Sequence, residues 1–255
     1  MVDTPTYKSW HATANRISES KTVFDSEWRN HRAIKEMLEH VTPEFAVQYL
    51  TRIGKEYPAI IPLLQSTCQI NDSIGGPELC DLGSSLVACP TTVRYVYHAC
   101  VVLTAIKKLK REINLVEVGC GYGGLAKVID TLAPAFDVKI GSYCLYDLPH
   151  VQKLQKRYLT ALDFSIDMQF GDCMDFGAGL PAGNWFLISA YGIGEFDAEI
   201  ADTYLSTICP KTVGGFIVWN SSRASKALAA LATQPTYESV VEEPLTGPHN
   251  RIITW

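Results

Sequence analysis

The chain has no cysteine pair in CxxC spacing and no histidine pair in HxxxH or HExxH spacing. These are the usual frames of a zinc site, so no metal is expected. Its cysteines, at 68, 80, 89, 100, 120, 144, 173 and 209, are scattered, and Cys100, Cys144 and Cys209 fall inside apolar runs. They read as buried free thiols, which fits a reducing, cytoplasmic compartment. No apolar run reaches the roughly 20 residues of a membrane-spanning helix. The opening stretch MVDTPTYKSWHATANR lacks an apolar signal-peptide core, so neither membrane insertion nor export is expected. Positive charge is also scarce: 22 Lys and Arg stand against 27 Asp and Glu, a net charge of −5. A phosphate-neutralising nucleic-acid surface is therefore not expected. The basic run KKLKR (Lys107–Arg111) reads as a solvated helix end, where cations complement the helix dipole.

Apolar residues are plentiful, at 47% of 255, enough for one sizeable core. Residues 1–66 look polar and helical. SEWRNHRAIKEMLEHV (Ser26–Val41) predicts a helix capped by Ser26 or Asp25, and Thr42 with Pro43 opens another. Cys68 to Pro90 looks looser. A long helix follows, with Val93, Val96, Cys100, Leu103 and Ile106 as its buried stripe. From Ile113 strands and helices alternate: INLVEVG, VKIGSYCLYD, FSIDMQFGD, NWFLISA and GGFIVWN are strands, each followed by a turn or helix. That alternation indicates an α/β fold with a doubly wound parallel sheet. The last two strands, TYESVVEE and NRIITW, are joined by only six residues, PLTGPH. Such a link is too short for a parallel crossover, so the final strand must run antiparallel. The expected division is a helical cap over 1–90 and an α/β core over 91–255.

In LVEVGCGYGGLAKVID a buried strand leads into glycines at 119, 121, 123 and 124 and then into a helix. Glycine lets the backbone turn tightly against a ligand, and the helix offers unpaired N–H groups. On this motif alone a plain turn and a dinucleotide site both stay open. Three acidic positions add weight. Glu117 stands just before the first glycine. Asp147 ends the second strand in LYDLP, placed for ribose hydroxyls. Asp172 ends the third in GDC, where it and the amide of Cys173 suit an adenine edge.

Together EVGCGYGG, YDLP, GDC and the terminal antiparallel strand resemble the class I S-adenosylmethionine-dependent methyltransferases. NDSIGGP, CPTTVRYVYHA, LYDLPHVQKLQKRYL, LISAYGIGEFD, YLSTICP and GPHNRIITW extend the resemblance to a family of sugar O-methyltransferases, over nearly the whole chain and least before about residue 25. PTTVRYVYHA and PHNRIITW are the family-specific parts. One stretch departs: SAYGIGE stands where the family has SNYxxSE, so Ala190 and Gly194 replace Asn and Ser while Tyr191 and Glu195 remain. The resemblance implies a Rossmann-like core and S-adenosylmethionine as cofactor. Its binding residues would be Glu117, Gly119, Gly121, Gly123, Asp147, Leu148, Asp172 and Cys173.

In a doubly wound sheet ligands sit beyond the C-terminal strand ends. Residues 190–195, 219–222, 244–249 and the helix from Thr91 converge there. Glu195, His98 and His249 are the candidate bases for removing a hydroxyl proton. Arg94, Tyr95, Tyr191, Asn220 and Asn250 are candidate acceptor contacts. Arg94 and His98 form an i,i+4 pair off the apolar stripe. Trp185, Trp219 and Trp255 read as core, although a sugar face can stack on an exposed indole ring. The expected reaction is methylation of a sugar hydroxyl in a glycan or nucleotide-linked sugar. The alternatives are a phenolic or polyketide acceptor, an NAD(P)-dependent oxidoreductase, and a non-catalytic binding protein on the same fold.

Overall fold

A computed structural model describes residues 5–255. The first four residues, which open the stretch read above for a signal peptide, lie outside the described residues. A helical layer comes first: α1 (Pro5–Glu19), α2 (Lys21–Phe24), α3 (Arg32–Met37), α4 (Pro43–Glu56) and α5 (Leu64–Asp72). A short antiparallel hairpin, β1 (Cys80–Asp81) and β2 (Val87–Ala88), leads into the long helix α6 (Pro90–Lys108). Then come β3 (Ile113–Val118), α7 (Gly124–Leu132), β4 (Ile140–Asp147), α8 (Pro149–Ala161) and β5 (Asp167–Asp172). The chain continues through β6 (Trp185–Ala190), α9 (Gly192–Glu195), α10 (Ala198–Ile208), β7 (Thr212–Trp219), α11 (Lys226–Leu231), β8 (Glu238–Val241) and β9 (Arg251–Thr254).

The large sheet has the order β5-β4-β3-β6-β7-β9-β8. The strands from β3 to β7 are mutually parallel, and β9 runs antiparallel to both β7 and β8. Counted from β3, this is 3-2-1-4-5-7-6, the Rossmann-like sheet of the class I methyltransferase fold. The antiparallel last strand expected from the six-residue link is present. Strand periodicity divides the core between the two faces. Ile113 and Leu115 of β3 face the larger cluster, shared with the N-terminal helices, α6, α7 and α8. Val116 and Val118 face the smaller one, shared with α10.

Two expectations need correction. Ser26–Val41 is not one helix: a 3-10 turn at Trp28–Asn30 precedes α3, and His31, not Ser26 or Asp25, caps α3 by accepting from the Ala33 amide. The break has a tertiary cause. The Arg29 amide donates to the Gly75 carbonyl at 2.8 Å and the Asn30 side chain to that of Gly76 at 2.6 Å. Docking on the NDSIGGP loop thus outweighs local helix propensity. The stretch after Cys68 is also less loose than expected, because α5 runs on to Asp72. Elsewhere local signals hold: the Thr42 hydroxyl caps α4 by accepting from the Phe45 amide, and Lys107 and Lys108 are exposed at the end of α6.

The expected stripe of α6 is buried, but so are Arg94, Tyr95, Tyr97 and His98 on its other faces. Here α6 is wedged between α4, α5, α7 and β7, leaving its first turns no solvent side. All eight cysteines are free; Cys100 and Cys144 are buried, whereas Cys209 is only half-buried. Among the described residues no helix is long and apolar enough to cross a membrane.

Candidate active site

The sheet order reverses between β3 and β6, and the loops leaving these strands touch. A Cβ built on Gly119 would lie 2.7 Å from the Gly192 Cα, so both loops require glycine at the contact. Gly119, Gly121 and Gly123 all have positive φ, at 75°, 55° and 98°. Beyond these loops opens a cavity of about 540 Å³, within the usual size of a small-molecule site.

One end of the cavity is acidic and rests on the central strands. Glu117 is buried and accepts from the Tyr143 hydroxyl at 2.6 Å. Burial pushes its pKa up to about 7, opposed by that hydrogen bond and reinforced by Asp147. Asp147 accepts from the Leu148 amide at 2.8 Å, the Cys120 amide at 3.1 Å and the Gln155 amide group at 3.0 Å. Its surroundings also push it up to about 7, by desolvation outweighing these three bonds. It keeps surface toward the crevice and has acceptor capacity left, since a carboxylate has about four lone-pair sites. Gln155 also donates to the Gly121 carbonyl at 2.9 Å, tying the glycine loop to α8. Leu148, Cys173, Met174, Phe176, Phe196 and Tyr204 form a largely apolar slot beside this end. Asp172 is exposed and outside the cavity lining; its carboxylate accepts from the Met174 amide at 2.8 Å and caps a short 3-10 turn.

Above the strand ends, Glu195 accepts from the Tyr7 hydroxyl at 2.5 Å and from the Asn220 side chain at 3.2 Å. Tyr7 comes from α1 together with Trp10 and His11, which also line the cavity. The SAYGIGE departure has a steric counterpart. A Cβ on Gly194 would lie 2.2 Å from the Asn220 Oδ1, so Asn220 fills the space a larger residue would need. Tyr191 adopts φ 73°, a left-handed conformation that is costly for a non-glycine residue and common at functional loops.

The far wall comes from α6 and the terminal turn. Glu242 is fully buried and accepts from the Tyr191 and Tyr49 hydroxyls, the Thr246 amide and hydroxyl, and the Asn250 side chain. Burial raises its pKa, but these hydrogen bonds outweigh burial and hold it below the usual range. The Arg94 guanidinium lies 4.8 Å over the Tyr191 ring. It donates to the Leu38 carbonyl at 3.3 Å and contacts the His40 ring at 3.5 Å. His40 is reachable by water, yet protein crowds it; that desolvation, then the Arg94 charge, push its pKa down to about 4.

Of the three candidate bases, the fold brings only Glu195 to the cavity. His98 is fully buried outside the lining, with both ring nitrogens unpartnered, and burial followed by the Arg94 charge pushes its pKa down to about 3. His249 is exposed and outside the lining. Arg94, Tyr95, Tyr191, Asn220 and Asn250 all line the cavity, as do Glu117, Gly119, Gly121, Asp147, Leu148 and Cys173. Gly123 is not in the lining; it caps α7. Trp185 and Trp219 are buried and Trp255 half-buried, while Trp10 is the indole that lines the cavity. Sequence reading missed Tyr7, Trp10, His11, Leu38, His40 and Glu242. The i, i+3, i+4 spacing of Tyr7, Trp10 and His11 was a usable signal; nothing local marked His40 or Glu242. No group of three or more metal-ligating side chains occurs among the described residues.

No protein-family model and no curated protein sequence matches the chain. Solved structures do. An amino pentose methyltransferase from Micromonospora echinaspora, involved in calicheamicin biosynthesis, is 15% identical over 51% of each chain, with a TM-score of 0.37. The match therefore spans about half the length of that protein. Magnesium protoporphyrin IX methyltransferase from Synechocystis PCC 6803, with bound S-adenosylhomocysteine, is 11% identical over 80% of this chain and 98% of its own, with a TM-score of 0.46. A Podospora anserina methyltransferase is 10% identical over 83% and 94%, with a TM-score of 0.44. These are likenesses of fold.

Proposed function

We propose that the protein is an S-adenosylmethionine-dependent O-methyltransferase that acts on a sugar hydroxyl of a glycan or nucleotide-linked sugar. One observation carries the methyltransferase reading. At the sheet's switch point a left-handed glycine loop and two interior carboxylates, Glu117 and Asp147, share one cavity with Glu195. The sugar reading rests on the family-specific stretches PTTVRYVYHA and PHNRIITW. Residues 1–90 act as the cap that supplies Tyr7, Trp10, His11, Leu38 and His40, and residues 91–255 as the core.

The residues fit the cofactor. Glu117 has one oxygen without a protein partner among the described residues, suited to an amine. Asp147 takes ribose hydroxyls with its remaining acceptor capacity, and the apolar slot with the Cys173 amide takes an adenine. When bound, S-adenosylmethionine supplies an electrophilic methyl group on a sulfonium. Tyr7 and Asn220 fix the Glu195 carboxylate, which is placed to take the proton of an acceptor hydroxyl in the cavity. A positioned base of this kind contributes about 10²–10⁴-fold, and orientation of the acceptor adds to it. A second reading, a small aromatic acceptor, is favoured by the wall of Trp10, Leu38 and Tyr95.

Calorimetry with S-adenosylmethionine, S-adenosylhomocysteine and NAD tests the cofactor. Binding of the first two without NAD is expected, and the reverse sinks the methyltransferase reading. Methyl-transfer assays over sugars and phenols then decide the acceptor. Cofactor binding without transfer to either class would leave the non-catalytic alternative standing.

A further inference from the structure

Arg94 is 3% exposed, carries a charge that no folded protein removes, and has no ion-pair partner among the described residues. The other buried arginine, Arg29, shows what such a group normally acquires: Glu39 at 2.6 Å and Asp72 at 3.3 Å. Around Arg94 the protein supplies a carbonyl at 3.3 Å, a neutral imidazole at 3.5 Å and the face of Tyr191. Its Nε is buried and unpartnered. Glu242 acts on Arg94 as a counter-charge through space but forms no ion pair with it, and its oxygens are taken by two tyrosines, Thr246 and Asn250. A buried cation without a direct ion pair is costly, and a guanidinium is shaped for a carboxylate or phosphate. Arg94 and His40 both line the cavity, so an anionic ligand has a route to them.

We propose that the acceptor is an acidic molecule whose carboxylate binds Arg94. This rests on the methyltransferase reading only in taking the acceptor to share the cavity with the cofactor. A carboxylate can also come from the methionine end of the cofactor. In the glycine loop the amides of Gly119, Cys120 and Gly123 are taken by the Tyr146 carbonyl, Asp147 and the Cys120 carbonyl, which leaves those of Gly121 and Tyr122 for that group; the test below separates the two anions. Arg94 instead leans on Tyr191, which hydrogen-bonds the Glu242 cluster of the terminal turn. His40 stays neutral beside it and therefore neither competes with Arg94 for the anion nor repels it.

The test uses the full chain saturated with S-adenosylhomocysteine. Calorimetry compares two matched pairs, glucuronate with glucose and 4-hydroxybenzoate with 4-hydroxybenzyl alcohol. The acid of at least one pair should bind about tenfold tighter or more, the scale of a charge-assisted hydrogen bond. Arg94→Gln should reduce that preference to about threefold or less while S-adenosylhomocysteine affinity stays within about threefold; Arg94→Lys should keep part of it. Acids that bind no better than their neutral partners, or not at all, overturn the proposal. So does an Arg94→Gln protein that keeps the acid preference or loses about tenfold or more in S-adenosylhomocysteine affinity, for then the charge serves the cofactor. Should Arg94→Gln not fold, the wild-type pairs and Arg94→Lys still decide. Acid preference in the phenolic pair alone upholds the proposal and removes the sugar; methylation of neutral sugars without acid preference does the opposite.

Discussion

Two arginines are buried in this fold, and they are used in opposite ways. Arg29 sits in a closed polar knot. It donates to Glu39, Asp72, the Asn71 carbonyl and Thr92, while Glu39 also accepts from Tyr122 and Cys89. The knot joins the 28–39 segment to α5 and α6, and its one cation is matched by two carboxylates. Arg94, one short step along the same α6, has no direct ion pair among the described residues and borders a cavity. A paired buried charge holds elements together, whereas one without an ion pair beside a cavity is placed to bind a ligand's anion. The family-like stretches divide along the same line: NDSIGGP and Thr92 build the knot, and Arg94 and Asn250 build the wall of the site.

The sharpest way to break this comparison is by stability. Arg29→Met should cost about 3–5 kcal/mol, because it strands buried carboxylates. Arg94→Met should cost far less, since no carboxylate is bonded to Arg94 and Glu242 keeps its tyrosine, Thr246 and Asn250 donors. Urea unfolding of the two variants measures the difference, and equal losses would erase the distinction.

The next largest effect should come from chemistry at the cavity. Glu195→Gln should lower kcat by about 10²-fold with S-adenosylhomocysteine affinity unchanged. Tyr7→Phe should have the same signature at a smaller size, because it only frees the carboxylate. Steady-state kinetics on a verified acceptor, beside calorimetry, separates the two roles.

At the acidic end, Asp147→Ala should weaken S-adenosylhomocysteine by about 1.5–3 kcal/mol. Glu117 and Asp147 also give a pH signature. Both are raised to about 7 in the free protein, so between the ordinary carboxylate range and about 7 the folded state holds protons that the unfolded state has lost. Their contribution to stability therefore falls as pH rises through that window and levels off above it. Ligand amine and hydroxyl groups favour the ionised carboxylates, so affinity should rise with pH through about 7. A flatter profile in Asp147→Asn would support the assignment, and an unchanged one would remove Asp147 from it.

The smallest effect belongs to His249→Ala. The residue is exposed and outside the cavity lining, so stability should shift by no more than about 0.5 kcal/mol and S-adenosylhomocysteine affinity should not change. A tenfold loss of kcat would show that the terminal turn closes over the acceptor.

What was legible follows the range of the interactions. Four of the five parallel strands show as apolar runs because both faces of the sheet are covered, whereas the edge strand β5 alternates, with Asp167, Gln169 and Asp172 exposed. The glycine loop shows because positive φ leaves few other residues possible. The side of the sheet that carries His249 was also inferable, but whether its ring faces the cavity was not. His98 and His40 illustrate the gap most plainly. Helical spacing put His98 on an open face, yet α4 and β7 close over it, while His40, in a featureless turn before Thr42, reaches the cavity.

By itself the sequence determined the alternation of strands and helices, the glycine turn after β3 and the reversed last strand. Each is set by local backbone geometry or by a link only six residues long. Tertiary structure alone decided which polar groups are buried and which of them are paired. Arg29 meets Asp72 across 43 residues, Tyr191 meets Glu242 across 51, and Tyr7 meets Glu195 across 188. Pairing at such separations depends on how whole elements pack, and no local pattern in the chain encodes it.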